Sequence, residues 1–238
     1  MIGILGALDE EIGLLQEAMV THHVQEFLGR SFLQGHWQGQ AIVVVKSGIG
    51  KVRAAMTATA LVSRFPIQGL IFTGVGAALH NNLRVGDVVL LHQGMEHDFG
   101  MIDGRGFRLG LDFIPGEEAQ WITAPPTLFH LAWNQRHHIT LQPVLPGIPP
   151  QIHQGRVATG DLFVAEAGKR AEIHALTGAD VLEMEGTAVL RVAVAAGIPC
   201  LLVRSISDTG ERTVDFLTFF AQAAHNAIAV VKQVLGSL

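Results

Sequence analysis

Charged residues end two consecutive hydrophobic strands that the sequence predicts. The segment from Leu182 to Gly186 reads Leu-Glu-Met-Glu-Gly, and the following strand ends around Arg204 and Asp208. If the two strands are parallel neighbours, their carboxyl ends carry these side chains to the edge of the sheet where the clefts of open α/β folds lie. Cleavage by water needs a carboxylate that activates the water and an acid that protonates the leaving group. The pattern therefore predicts a hydrolytic site at this edge.

Each of these charges also has a purely structural interpretation. Alternation along a strand sends Glu183 and Glu185 to one face, but a helix that begins at Glu185 fits the pattern as well. Arg204 and Asp208 could form a structural ion pair. Glu11, near a predicted helix start, could be a solvated charge that complements the helix dipole. The residues alone leave these alternatives open.

The elements that must position these charges alternate between strands and helices. This order predicts one α/β domain over residues 1–238, with three layers: a central mixed, mostly parallel twisted sheet flanked by helices on both faces. Residues 93–155 are the least regular part, and we expect them to form a pocket wall or a subunit contact. The predicted strands are 2–8, 30–37, 40–46, 69–73, 85–91, 156–158, 180–184 and 200–206. The predicted helices are 9–19, 51–63, 126–135, 165–176, 186–196 and 216–235.

The composition excludes several classes of partner. Hydrophobic residues make up 49% of the chain and charged residues 16%, so we expect a partner subunit, most simply in a homodimer, to cover part of the apolar surface. The net charge of -5 and the scattered Lys and Arg residues give no basic stripe for nucleic acid. No apolar run is long enough to cross a membrane, and the start lacks the basic region of a signal peptide. We therefore expect a cytoplasmic protein that does not enter membranes.

The sequence contains no motif for a bound cofactor or metal. Its 12 histidines show no metal-ligand spacing. Gly50 and Lys51 are not followed by the Ser or Thr of a phosphate-binding loop, and Gly-Val-Gly at 74–76 lacks the third glycine of a dinucleotide fingerprint. There is no Gly-x-Ser-x-Gly elbow, and the single cysteine, Cys200, lies in an apolar segment. We expect neither a cofactor nor a metal, and we interpret the glycines as places where the backbone approaches a small ligand.

Five short fragments, in order along nearly the whole chain, carry a family resemblance. They are Gly-Ala-Leu-Asp-Glu-Glu at 6–11, Lys-Ser-Gly-Ile-Gly-Lys at 46–51, Gly-Asp-Leu-Phe at 160–163, Glu-Met-Glu-Gly at 183–186 and Arg-Ser-Ile-Ser-Asp at 204–208. With them the chain resembles the nucleosidases that cleave 5'-methylthioadenosine and S-adenosylhomocysteine, which are members of the nucleoside phosphorylase superfamily. The resemblance implies a nucleoside phosphorylase-like fold and an adenine nucleoside as the substrate.

The resemblance implies four catalytic residues. Asp208 matches the proton donor to N7 of the departing adenine, a role that requires a proton to be held near neutral pH. Glu11 matches the residue that orients or deprotonates the attacking water, with help from Arg204. Glu185 matches the glutamate that binds the ribose 2'-hydroxyl and supports the positive charge that develops on the sugar.

The resemblance also implies a set of substrate-binding residues. Met184 would lie against the sugar, Phe163 would stack on the adenine, and the backbone of Val164 would read the edge of the base. Ile49 and Leu8 would be walls beside base and sugar.

Further residues concern the edges of this site. Glu183 is expected to shape the strand end. Val75 is expected beside the ribose; related proteins have Ser, Thr or Val at this position, and Val75 offers no hydroxyl. Met101, Phe107 and Pro115 are expected to line the alkylthio end, across a dimer contact. An apolar residue beyond Asp208 is expected to cover the site, and the sequence leaves the choice between Val214 and Phe216 open.

Three other functions compete with this one. A phosphorylase of the same fold would need basic or hydroxyl groups around phosphate, whereas Asp9, Glu10 and Glu11 would repel it. A hydrolase of the related nucleoside futalosine is a second alternative. A purine-nucleoside binding module without catalysis is a distant third.

Overall fold

Ten strands form one mixed sheet in a computed structural model that describes residues 1–210 and 213–238, with side chains for all of these except 213–217. Along the sheet the order is β11-β10-β6-β12-β5-β1-β4-β3-β2, with β9 beside β6. The strands of this sheet are β1 (Ile2–Gly6), β2 (Val20–Phe27), β3 (Arg30–Trp37), β4 (Gln40–Lys46), β5 (Gly69–Ala78), β6 (Val88–Glu96), β9 (Ile122–Thr123), β10 (Ile152–Thr159), β11 (Val181–Glu183) and β12 (Cys200–Asp208). A separate hairpin joins β7 (Gly100–Asp103) to β8 (Gly106–Leu109).

Helices cover both faces of the sheet, as predicted. On one face, α2 (Lys51–Arg64) and α5 (Gly186–Ala196) pack on a core that includes Leu61, Phe72 and Val189. On the other, α1 (Gly13–Ala18), α3 (Thr127–Gln135) and α6 (Thr213–Leu235) pack on a second core that includes Leu15, Phe129 and Val231. The remaining helix, α4 (Ala167–Thr177), packs at the edge through Ile173. Burial of apolar side chains on both faces is the main force that holds the three layers together.

Strands β11 and β12 are not neighbours, contrary to the prediction. Strand β5 lies between them and pairs antiparallel with β11 and parallel with β12. The β11–β5 pairing also closes β5, β12, β6, β10 and β11 into a ring. The sheet is mixed as predicted, but antiparallel pairings are as common as parallel ones among the described strands.

The predicted first helix is broken into two shorter pieces. A 3-10 turn covers Asp9–Glu11, and α1 begins only at Gly13. The side chain of Glu11 folds back and accepts hydrogen bonds from the backbone N–H groups of Ala7 and Leu8, at 2.6 and 3.0 Å. Glu11 is therefore not the solvated charge that a helix start would suggest.

Among the described residues, no helix is both long and apolar enough to cross a bilayer. The same residues contain no cluster of His, Cys, Asp and Glu that could hold a metal ion.

Candidate active site

A partly open cleft with a volume of about 110 Å³ lies where β1, β5, β11 and β12 end. All of the predicted catalytic residues except Arg204 line it, as do all of the residues predicted to contact the sugar or the base, together with residues that the sequence did not single out. The predicted residues in its wall are Leu8, Glu11, Ile49, Val75, Phe163, Val164, Glu183, Met184, Glu185 and Asp208. The others are Ala7, Gly76, Ala77, Leu162, Arg170, Leu182, Ser207 and Phe220.

Strand β5 brings the two charged strand ends together. Its residue Ala77 pairs with Leu182 of β11 on one side and with Asp208 of β12 on the other. A register shift between Ile206 and Asp208 precedes the second pairing. The predicted convergence at one edge is thus correct, but it depends on a third strand and not on direct pairing.

Glu11 is buried against the backbone of β5. One of its carboxylate oxygens accepts from the N–H of Val75 at 3.1 Å, and the other accepts from the N–H groups of Ala7 and Leu8. This close approach requires a glycine at position 74, because a Cβ there would lie only 2.3 Å from a carboxylate oxygen of Glu11. Burial raises the pKa of Glu11, although Arg204 and the three backbone donors oppose the rise. The result is a fixed carboxylate whose affinity for a proton is increased, as a general base requires.

Glu185 is held from the opposite wall of the cleft. Its carboxylate accepts a hydrogen bond of 2.8 Å from the backbone N–H of Gly50, which ends the glycine-rich turn before α2 at a φ of 98°. Burial, followed by the charge of Glu183, raises the pKa of Glu185 from 4.5 to about 8. Glu185 is the residue just before α5, so the helix-start interpretation is correct, and the same residue lines the cleft.

Glu183 lies in the cleft wall and is the centre of a buried hydrogen-bond network. It accepts hydrogen bonds from Arg204 at 2.8 Å, from the hydroxyl of Thr159, and from the N–H groups of Glu185 and Gly186 at 3.0 and 2.7 Å. The last two are orphan donors of the first turn of α5, so the carboxylate caps this helix. Glu183 therefore fixes the strand end, in line with the prediction.

Arg204 does not line the cleft, although its charge acts on Glu11, so its help at the attacking water stays a prediction. Its guanidinium is 1% exposed, donates to the carbonyls of Phe72 and Val203, and lies over the Phe72 ring at 4.2 Å. Its ion pair is with Glu183 and not with Asp208. Arg204 stays behind the carboxylates because β12 points its side chain into the sheet core, where only a paired charge is tolerated.

Asp208 does not form the ion pair with Arg204 that was one alternative from the sequence. Its partner is Arg170 of α4, and both side chains are buried. The Ser207 hydroxyl donates to the second carboxylate oxygen at 3.1 Å. The sequence analysis missed Arg170, although a signal exists: Arg170, Ile173 and Thr177 follow helical spacing and form the buried face of α4. An arginine in the buried stripe of a helix indicates a buried anion as its partner.

The outer wall of the cleft is apolar and partly open. The exposed fractions of Ile49 and Phe163 are 42% and 54%, so both can contact a bound ligand. Met101, Phe107 and Pro115, expected at the far end, do not line the cleft of the single chain. The side chains of Val214 and Phe216 lie outside the described part of the chain.

Buried carboxylates around an apolar cleft, on a three-layer α/β fold, define an enzyme that performs acid–base chemistry on a small molecule. The chain belongs to the phosphorylase superfamily, whose family model matches residues 1–236.

Relatives with named activities are similar over their whole length. The chain is 32% identical over 238 residues to the 5'-methylthioadenosine/S-adenosylhomocysteine nucleosidase of Marinomonas sp., covering 99% of this chain and 98% of that one. It is 31% identical over 242 residues to the aminodeoxyfutalosine nucleosidase of Helicobacter pylori, covering 100% and 99%. The solved structure of the 5'-methylthioadenosine/S-adenosylhomocysteine nucleosidase from Colwellia psychrerythraea, in complex with adenine, superposes with a TM-score of 0.86 at 28% identity, covering 100% of this chain and 95% of that one.

Proposed function

We propose that this protein is a nucleosidase that hydrolyses the N-glycosidic bond of 5'-methylthioadenosine and S-adenosylhomocysteine, releasing adenine and the 5'-thioribose. The observation that carries the proposal is the convergence of Glu11, Glu185 and Asp208 on one cleft whose outer wall is apolar. The relatives named above act on substrates of this kind, and their similarity extends over the whole chain.

The reaction follows from the placement of the acids. The C1'–N9 bond breaks and its electron pair leaves with the base, while Asp208 delivers a proton to N7 of that base. The oxygen of a water molecule bonds to C1', and Glu11 takes the proton that the water loses. Transfer of a proton from Glu11 back to Asp208 through solvent restores both groups, so the net reaction consumes one water.

Glu185 and the apolar wall would hold the nucleoside in place. In its ionised form, which a positive charge on the sugar favours, Glu185 accepts from the ribose 2'-hydroxyl and stabilises the oxocarbenium-like centre. Met184 packs on the sugar, and Phe163 stacks on the base, where an aromatic ring adds favourable contact to area burial. Water, and not phosphate, is the nucleophile in this proposal, because the segment before the site carries Asp9, Glu10 and Glu11 and would repel an anion.

A substrate panel tests the proposal. Purified protein is incubated with 5'-methylthioadenosine, S-adenosylhomocysteine, aminodeoxyfutalosine or futalosine, with and without phosphate, and the free base is quantified. We expect adenine from the first two without added phosphate. Release of ribose 1-phosphate that depends on phosphate would instead identify a phosphorylase, and tight binding of 5'-methylthioadenosine without turnover would identify a binding module.

A matched pair of variants tests the assignment of the acid. Asp208→Asn should lower kcat by roughly a hundredfold to ten thousandfold, the range for loss of general acid catalysis. Asp112→Asn removes an exposed carboxylate outside the cleft, 3.6 Å from Arg108, and should leave kcat unchanged. Equal turnover by the two variants would remove Asp208 from this role.

We also propose a homodimer that buries exposed apolar side chains on and near α2 and α5. Val52, Met56 and Val194 are 78%, 38% and 45% exposed, and such an apolar surface favours association with a second copy. The dimer contact would also supply the part of the pocket wall that Met101 and Phe107 do not form within one chain. Light scattering at micromolar concentration should give twice the mass of the chain. The cytoplasmic location stays a prediction.

A further inference from the structure

A buried arginine in the cleft has no part in the mechanism described so far. Arg170 is 5% exposed, yet it lines the cleft beside the residues assigned to the base. Its Nε donates to the backbone carbonyl of Val164 at 2.8 Å, and its Nη1 forms the ion pair with Asp208. The guanidinium therefore bridges the two groups that would face the edge of the purine.

The turn after β12 is shaped to accommodate this side chain. Gly210 has a φ of 82°, and a Cβ at that position would lie 3.0 Å from Nη1 of Arg170. A larger residue would thus push against the guanidinium and strain the backbone as well. Arg170 is consequently fixed by a hydrogen bond, an ion pair and close packing at one end of the cleft.

If the proposed function is correct, the position of Arg170 can be compared with the order of the atoms along the edge of the purine. N1, the substituent at C6 and N7 follow one another along that edge. If Asp208 contacts N7 and the Val164 backbone reads the edge, the C6 substituent points between them, toward Arg170. An arginine side chain has only donors, several of them, so it can donate to a 6-oxo group but cannot accept from a 6-amino group.

We propose that Arg170 is a specificity-determining residue through which the cleft accepts nucleosides with a 6-oxopurine base in addition to adenine nucleosides. When an adenine nucleoside is bound, the guanidinium keeps only its hydrogen bond to the Val164 carbonyl and its ion pair with Asp208. With a 6-oxopurine nucleoside it also donates a charge-assisted hydrogen bond to the oxygen at C6. Asp208 protonates N7 in both cases, so the bond that breaks and the water that is consumed are the same.

Matched substrates separate this role from a merely structural one. The wild-type protein should release hypoxanthine from 5'-methylthioinosine as well as adenine from 5'-methylthioadenosine. Arg170→Met should lower kcat/KM for the inosine compound relative to the adenosine compound by roughly tenfold to a hundredfold, the effect of one hydrogen bond to a charged group. Lys169→Met, one position earlier on α4, removes an exposed ammonium paired with Glu172 at 2.8 Å and should leave the ratio unchanged.

Two results would overturn the proposal. A wild-type protein that cleaves the adenosine compound but not the inosine compound would show that the cleft rejects the 6-oxo group. An equal loss for both substrates in Arg170→Met would show that the arginine only holds Asp208 and Val164 in place. If Arg170→Met does not fold, Arg170→Gln keeps a neutral amide donor but loses the charge, and its ratio should fall in the same direction by a smaller factor.

Measuring how tightly the free bases bind tests the role of Arg170 separately from the proposed function. If the wild-type protein cleaves neither nucleoside, the proposed function fails, and calorimetric titration with hypoxanthine and adenine then decides the role of Arg170. Wild-type protein should bind hypoxanthine more tightly than Arg170→Met does, whereas binding of adenine should change much less. Equal changes for the two bases would contradict the inference.

Discussion

Replacement of Glu185 by glutamine should change how the stability of the protein depends on pH. Glu185 is buried, its carboxylate accepts a hydrogen bond from the Gly50 N–H, and the charge of Glu183 lies nearby. These surroundings favour its protonated form. Glutamine has nearly the same shape, can accept from Gly50 through its carbonyl oxygen, and does not ionise. The Glu185→Gln variant therefore removes one titration from the folded state and leaves the packing almost unaltered.

The sign and size of the effect follow from the raised pKa. The pKa of Glu185 is about 8 in the folded protein and 4.5 in an ordinary environment. The folded state therefore holds this proton more tightly, and the stability it contributes is present below the lower value and is lost as pH rises through the upper one. Because one pKa unit corresponds to about 1.4 kcal/mol, the loss across this whole range is on the order of 5 kcal/mol.

Urea unfolding of both proteins at about pH 5 and about pH 8.5 measures this loss, since other groups titrate alike in the two and cancel. The wild-type free energy of unfolding should fall by roughly 3 to 4 kcal/mol more than that of the variant between these conditions. The same substitution should lower kcat/KM, because a neutral amide cannot stabilise a cationic sugar. Parallel pH dependences of the two proteins would refute the argument that burial holds a proton on Glu185.

Three further substitutions test other parts of the site. Glu183→Gln should lower the free energy of unfolding by about 3 kcal/mol or more, because it leaves the buried Arg204 without its anion, and chemical denaturation measures the change. Gly74→Ala should lower kcat at least tenfold, because its Cβ would displace the Glu11 carboxylate; steady-state kinetics with unchanged turnover would contradict the placement of Glu11. Phe163→Leu should raise KM more than it lowers kcat, since a base–aromatic stack contributes about 1–3 kcal/mol to binding, and a change confined to kcat would argue against stacking.

Much of the fold could be predicted because strongly apolar strands alternate with helices. The predicted strands at 30–37 and 40–46 match β3 and β4, and the predicted helix at 126–135 nearly matches α3. Strand β2 was missed because it is an edge strand whose residues are largely exposed and polar, so it has no apolar pattern. The β11–β5 closure was missed for another reason: it pairs residues about a hundred positions apart, and no local signal records it.

The candidate site, like the fold, could be predicted only in part from the sequence. Motif resemblance and strand ends identified Glu11, Glu185 and Asp208, because charges at the ends of apolar strands are conspicuous. Which charge pairs with which could not be read from sequence, because pairing depends on the side to which each side chain points. The structure gives Arg204 to Glu183 and Arg170 to Asp208, and the second pair joins a helix and a strand that no motif connects.

The shared register at Ala77 has a consequence for how this protein can change over evolutionary time. Leu182 and Asp208 both align with that one residue, so an insertion or deletion within β5 would shift the ends of β11 and β12, and both of the cleft walls that they form, at once. The segment between β6 and β10 lies outside the ring, although its short strand β9 pairs with β6, and it carries none of the three acids. Lengths in that segment can vary while the acids keep their positions. Changes in this segment can therefore alter the range of substrates while the three acids keep the positions that bond cleavage requires.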